Sequence, residues 1–209
     1  MFREILNDKI GNIFLILSKR IPELNLTKAL KLLFLIDEAS VQRTGVPITW
    51  LDYKVWKLGP VPEEIYNEIK KDIVETVNLK PLSIKEYVKW SKINNPVEPD
   101  KDAFLIQPIE DAKEVNTNIF SDYELELISE VIDTYGSKSA KELIHITHKE
   151  GSLWKEIVDA NNLEKYFEIF SNTSPYNIDF VKLIKDDDLK LTNLKNSNET
   201  LLFQSSLQK

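Results

Sequence analysis

The chain contains no cysteine, five glycines, two histidines and three arginines in 209 residues. The first absence removes disulfides, thiolate catalysis and cysteine-ligated zinc together. The glycines stand at 11, 45, 59, 136 and 151. A dinucleotide fingerprint or a phosphate-binding loop needs glycines within a few residues of one another, so counting excludes both. No serine sits in a glycine-flanked nucleophile elbow. Histidine chemistry is confined to His145 and His148. Of 27 basic residues only Arg3, Arg20 and Arg43 are arginine, and the formal charge is −7. Guanine readout favours arginine forks and phosphate-driven binding favours positive charge, so nucleic acid is not an expected partner for this chain alone. An acidic chain suits basic protein partners or solubility. Long apolar runs are also missing: 13–17 and 32–36 fall far short of the roughly 18 residues that span a bilayer. No small-residue cleavage site follows the first apolar stretch, so neither a signal peptide nor a membrane partner is expected, and the expected location is cytoplasmic.

What remains is ordinary for a globular protein, with 42% apolar and 29% charged residues, a balance that disordered chains lack. The length allows one domain or two small ones and a core that needs no covalent staples. Residues 4–20 read as an amphipathic helix with Leu6, Ile10, Ile13, Phe14, Leu17 and Ile21 on one face, ended by Pro22. Thr27 is the expected cap of a second helix that runs to about Thr44. Its middle, Leu32-Leu33-Phe34-Leu35-Ile36, is apolar on every side, as in a helix buried at the centre of a bundle. Gly45 and Pro47 stop it.

Residues 52–58 suit a short strand. Gly59-Pro60-Val61-Pro62 reads as a rigid turn, and Glu63 and Glu64 open a helix with the stripe Ile65, Ile69 and Ile73. Residues 79–118 are broken by Pro81, Pro96 and Pro99; strands at 84–90 and 103–108 would make this a small sheet or insertion between helical blocks. Ser121 and Glu124 form a capping box for a helix with Leu125, Ile128, Ile132 and Tyr135 inward, ended by Gly136. Further helices are expected from Ser139, around Trp154, and over 163–184 with a break at Pro175. After Ile184 the composition turns to Asp186-Asp187-Asp188 and an Asn-rich stretch, 193–198, that is poor core material. Leu201, Leu202 and Phe203 follow, with Leu207 a turn beyond Phe203. A helix this short needs a surface to lie on, either a partner or its own domain.

Four constellations carry chemistry to weigh. Glu142, His145 and His148 share three-residue spacing, which would suit a metal-dependent enzyme, but a di-iron bundle needs two Glu-x-x-His motifs and only one is present. The plainer reading makes His148 a structural hydrogen-bonding residue near Trp154. Lys80, Lys85, Lys89 and Lys92 interleave with Tyr87 and Trp90, a pattern of single-strand binders; Glu86, Glu98 and Asp100 oppose it. A DNA-binding regulator of its own operon would want a helix-turn-helix with a basic second helix, and none is evident. Finally, Tyr53 and Trp56 beside Gly59-Pro60-Val61 read as a packed core corner, or as aromatic anchors of a binding hot spot.

Several separated motifs resemble one family. Lys28-Ala29-Leu30-Lys31-Leu32-Leu33-Phe34-Leu35-Ile36-Asp37 is similar to its second helix. Gly45-x-Pro47-Ile48-Thr49 and Tyr53-x-x-Trp56-x-x-Gly59-Pro60-Val61-x-x-x-x-Tyr66 resemble its central motif. Phe120-Ser121-x-x-Glu124, Val131-x-x-x-Tyr135-Gly136, and Glu142-Leu143-x-x-x-Thr147-His148 with Trp154 complete the order over roughly residues 5–160. The family is the Panacea domain, also called the SocA-like antitoxin or phage-associated-protein domain. Val55 stands where alanine is usual, Leu153 where proline is common, and Trp50 replaces a frequent glycine.

The resemblance implies a mainly helical antitoxin domain of bacterial or phage origin that neutralises a cognate protein toxin by direct contact. One type of member delivers its toxin to a bacterial protease, so a protease or chaperone is a second expected partner. The domain accompanies many unrelated toxins, and the family supplies no catalytic residues to carry over. The expectations are therefore a mainly α fold with a buried central helix and a small β-sheet or hairpin insertion. Residues 1–165 would be the domain, with an irregular or β segment at 79–118, and 166–209 a helical extension and polar tail. No enzyme activity, cofactor or metal is expected. Tyr53, Trp56, Gly59, Pro60, Val61, Tyr66, Thr147, His148 and Trp154 would be motif residues, structural or toxin-contacting.

Overall fold

A computed structural model describes residues 2–71, 83–95, 97–98, 102–110 and 114–206. Ile73, Lys80, Pro81, Pro96, Pro99, Asp100 and Leu207 lie outside these. The described residues form eight α-helices and two antiparallel hairpins: α1 Phe2–Arg20, α2 Leu26–Thr44, β1 Tyr53–Trp56, β2 Gly59–Pro62, α3 Glu63–Lys71, β3 Val88–Asn94, β4 Asp102–Pro108, α4 Asp122–Tyr135, α5 Ala140–Thr147, α6 Leu153–Ala160, α7 Leu163–Ile169 and α8 Asp188–Ser206. The fold is mainly α with small β hairpins, as expected.

Everything is arranged around α2. It touches α4, α5, α8, β2, β4 and the 3-10 turn Phe180–Leu183. A helix surrounded this way has no solvent face, which is why the run from Leu32 to Ile36 is apolar all round and wholly buried. Its start differs from expectation. Asn25, not Thr27, is the cap: its backbone is extended and its side chain accepts from Lys28 N at 3.0 Å. An amide oxygen two residues upstream already satisfies that donor, so Thr27 falls inside the first turn. Gly45 ends the helix at φ +86°, its N–H donating to Val41 O. On α1, Ile10, Ile13, Phe14, Leu17 and the following Ile21 are buried, while Leu6 is half-buried.

The first hairpin corrects the reading of Gly59-Pro60-Val61-Pro62 as a turn. It is strand β2, and Lys57-Leu58 makes the turn, with Trp56 paired to Gly59 and Tyr53 to Pro62. The prolines sit opposite Val55 and Tyr53, whose polar groups face away from β2: Val55 N–H donates to Tyr176 O and Tyr53 O accepts from Ile178 N. At those positions proline forfeits no ladder bond. The second hairpin pairs Val88 with Pro108 through Asn94 with Asp102. Its first strand starts four residues later than expected, because Ile84 O accepts from both Tyr87 N and Val88 N and closes a turn there. It is not a detached insertion. Ile84, Val88, Phe104 and Ile106 join the common core, and Ile106 N–H donates to Leu24 O between α1 and α2.

Capping boxes open both α4 (Ser121, Glu124) and α5 (Ser139, Glu142). The inward face of α4 is Leu127, Ile128, Val131 and Ile132, one step round from the expected set, with Leu125 and Tyr135 half-buried. The expected helix over 163–184 shrinks to α7 and the single turn Phe180–Leu183. Between them the chain runs beside β1, where Lys57 N–H donates to Asn172 O and Ser174 Oγ to Val55 O, in addition to the two bonds above. The open strand edge of β1 offers this segment partners that a second helix, interrupted by Pro175, would not have.

The tail differs too. The Asn-rich stretch is helical and belongs to α8, which packs on α1 and α2 without burying any of its described side chains. Asn193 Nδ2 donates to Thr44 O at 3.0 Å. Leu201 is half-buried, whereas Leu202 and Phe203 are 69% and 64% exposed. Among the described residues, no helix is long and apolar enough to cross a membrane.

Gly45 holds two elements at once. A Cβ there would meet Lys190 O at 2.3 Å and would occupy a left-handed backbone. Gly45→Ala is expected to lower stability by at least about 1–2 kcal/mol from the backbone conformation alone. It should also speed amide exchange across Asp188–Ser206 more than across α4, which mass-spectrometric exchange measures.

Candidate functional site

Of the charged residues on α2, Lys31 and Asp37 are the most deeply buried, and the motif residues gather around them. Asp37 is 0% exposed. Its Oδ1 accepts from Ile48 N at 2.8 Å and Thr49 N at 2.9 Å, and its Oδ2 from Tyr53 Oη at 2.8 Å and from Thr49 Oγ1. Burial pushes the carboxyl pKa up, and the donors from Thr49, Tyr53 and Ile48 work against that rise. Tyr53 is buried and stands edge-on to Phe34 and Phe180, so one face of α2 is locked to the 48–53 segment and to the C-terminal 3-10 turn.

Lys31 is 1% exposed, and its Nζ donates to Pro60 O at 2.8 Å. Burial lowers its pKa to about 7. Gly59, at φ +103°, lies flat between α2 and α5: a Cβ would sit 2.8 Å from Lys31 Cε, 2.9 Å from Thr147 Oγ1 and 3.2 Å from His148 Nε2. His148 caps α5 and stacks on Trp154, with ring centroids 3.5 Å apart and planes 2° from parallel. Trp154 Nε1 donates to Trp56 O at 2.8 Å, and Trp56 meets Tyr66 edge-on at 4.8 Å. Ser152 Oγ, at the cap of α6, donates to Thr147 O. The chain from α5 to α6 is thereby fastened to the first hairpin.

Of the motif residues, Trp56, Gly59, Pro60, Thr147, His148 and Trp154 form one cluster around Lys31. Tyr66 and buried Val61 flank it, and Tyr53 belongs to the Asp37 cluster instead. His148 sits beside Trp154 as expected, and stacking holds the ring; the Leu58 backbone is in hydrogen-bonding range of it, though too poorly aligned to satisfy the buried Nε2. Burial first, then the positive charge of Lys31, drives its pKa down to about 3. Sequence reasoning quoted Lys31, Asp37 and Thr49 within motifs without assigning them a part. The available signal was a charged residue at each end of a run with no polar face.

The metal constellation does not assemble. Glu142 accepts from Ser139 N and Oγ as a cap, and His145 is exposed. Among the described residues no group of three His, Asp or Glu could hold a metal. The lysines beside Trp90 are largely engaged: Lys89 pairs with Glu110, Lys92 with Asp102, and Lys85 lies over the Trp90 ring at 5.8 Å. A cleft of about 460 Å³ lies in front of Lys31, walled by Leu30, Trp56, Tyr66 and Phe104.

The low pKa of Lys31 has a sign. Between about 7 and its ordinary 10.5 the unfolded chain holds a proton that the folded chain has released, so stability rises with pH across that window. Lys31→Met should flatten the slope of melting temperature against pH between 7 and 10. An unchanged slope would mean that Lys31 keeps its ordinary pKa in the fold.

The family model "Antitoxin SocA-like, Panacea domain" matches residues 30–155. The stretch begins inside α2, ends in α6, and holds Lys31, Asp37 and all nine motif residues. Comparison with curated proteins and with solved structures finds no match. Since the matched stretch is more than half of the chain and includes both polar clusters, the chain belongs to the SocA-like antitoxin family and carries a Panacea domain.

Proposed function

We propose that the protein is the antitoxin of a toxin–antitoxin system, acting in the cytoplasm by binding its cognate toxin directly, with delivery of the toxin to a protease as a further step. Family membership carries this reading. The state of the motif residues supports it. Their polar atoms are largely engaged with one another: Asp37 with Thr49 and Tyr53, Lys31 with Pro60, Trp154 with Trp56. Groups turned inward this way suit a scaffold that acts by binding, without catalysis, cofactor or metal. Tyr53, Trp56, Gly59, Pro60, Val61, Tyr66, Thr147, His148 and Trp154 then serve chiefly to build the domain. Residues 1–165 are its common part and 166–209 an extension particular to this chain, a division that the end of the family match at 155 favours.

Co-expression with the product of the adjacent gene tests the reading. Growth arrested by that product should resume when this chain is supplied, and the two should co-purify. Relief without a complex, or no relief, would overturn it. Trp56→Ala tests the architectural role: emptying a buried tryptophan site costs about 3–5 kcal/mol, so the melting temperature should collapse together with neutralisation. Neutralisation lost at an unchanged melting temperature would instead place Trp56 in the toxin interface.

A further inference from the structure

Trp50 is the tryptophan that the fold does not use. Trp56 and Trp154 are buried and Trp90 packs against the core, but Trp50 belongs to neither group. It is half-buried. Among the described residues its indole N–H donates to nothing and its ring meets no other ring. Its backbone stands at φ +56°, a left-handed conformation that costs an L-residue about 1–2 kcal/mol and that glycine adopts freely. Strain of this kind at a bulky residue is found where the side chain serves something other than stability.

The surroundings agree. Trp50 lines a cleft of about 350 Å³ with Pro47, Ile5 and Leu6 of α1, and Leu201 of α8; its polar side includes Lys9 and Glu124, which pair with each other at 2.6 Å. Leu202 and Phe203 continue that end of α8 as exposed apolar surface, and Ile5 is 38% exposed. A cleft with a large aromatic at its wall and apolar neighbours has the make-up of an interface hot spot. Leu201 of α8 lies beyond the matched stretch 30–155 and beyond residue 165, so one wall of the cleft comes from the C-terminal extension. The electrostatics favour one sign of partner. The chain carries −7. Asp52, two residues from Trp50, is exposed, as is Asp122, between Ser121 and Tyr123 of the adjoining cleft, and neither enters an ion pair among the described residues.

We propose that Trp50 anchors the toxin-binding surface, and that its cleft with α1 and α8 receives an apolar side chain of a basic toxin. This rests on the antitoxin reading above. Trp50 is a specificity-determining residue here: a domain whose motif residues are turned inward needs outward residues of its own to choose a partner.

Trp50→Gly separates binding from folding, because it removes the anchor and relieves the backbone together. The full-length chain and this variant are titrated calorimetrically with the purified product of the adjacent gene, and both are melted. The expected result is a melting temperature that is unchanged or higher, with affinity reduced about thirtyfold or more. Phe203→Ser should also weaken binding at an unchanged melting temperature, and wild-type affinity should fall as salt rises. If Trp50→Gly binds as well as wild type, or melts lower, the proposal is wrong while the antitoxin reading stands. If affinity is indifferent to salt, the basic partner is wrong. If the wild-type chain self-associates and Trp50→Gly abolishes it, the cleft receives a second copy. If wild type does not bind the adjacent product at all, the antitoxin reading fails and this proposal with it.

Discussion

Asp37 is a carboxylate without water, held by four donors from residues 48–53, and the rest of the fold takes its orientation from it. Hydrophobic contact is not directional. A helix as apolar through its middle as α2 could turn about its axis inside a greasy bundle and lose little. Hydrogen bonds to a fixed carboxyl group remove that freedom, since leaving a buried polar group without its partner costs about 1–3 kcal/mol. Once Asp37 meets Ile48 and Thr49, the chain after Gly45 must fold back on α2. Once it meets Tyr53, β1 starts at a set place. Lys31, nearly two turns earlier, then finds Pro60 O, and the hairpin is pinned at both ends.

That dependence explains which parts of the fold were legible in the sequence. Periodicity and stop residues placed α1, α2, α3 and the start of α4 closely, because burial along one face leaves a pattern in local sequence. Cap identity was less legible: Asn25 and Thr27 are both good caps, and only the extended backbone at Asn25 decides between them. The errors lay where tertiary pairing overrode local signals. Gly59-Pro60-Val61-Pro62 looks like a turn unless one knows that β1 bonds on its other side. Residues 163–184 look like a helix broken at Pro175, yet 172–178 run beside β1 because it has an edge to close. The Asn-rich stretch of α8 has little apolar character, yet Thr44 O and the bare backbone of Gly45 give it a place to dock.

The site was legible in composition and illegible in arrangement. Trp56, Gly59, Pro60, His148 and Trp154 were recognised as a set, nearly a hundred residues apart in the chain. Nothing in their spacing says that Trp154 would donate to Trp56 O, or that His148 would be held by stacking. In the sequence Trp50 stands out only for replacing a frequent glycine. Its meaning needed a dihedral angle, because a left-handed backbone turns an odd substitution into a strained one. Glu142 shows the opposite failure. Its spacing to His145 and His148 suggested a ligand, while its spacing to Ser139 makes it a cap, and the nearer partner won.

Residues beyond the family match have a structural task of their own. The family match ends at 155, yet the outer edge of β1 is closed by residues 172–178, through Val55 N to Tyr176 O, Lys57 N to Asn172 O, and Ile178 N to Tyr53 O. An uncovered strand edge invites pairing with other chains. Phe180, from the same extension, stacks on Phe34 of α2 at 5.7 Å and stands edge-on to Tyr53, and so covers the Asp37 cluster. These residues serve the domain itself. The rest of the extension is α8, which buries none of its described side chains and turns Leu202 and Phe203 outward. Two tasks are thus divided within one short segment: the stretch up to Ile184 closes the edge of β1 and covers the Asp37 cluster, and the helix after it lies on α1 and α2 with an apolar end turned to solvent.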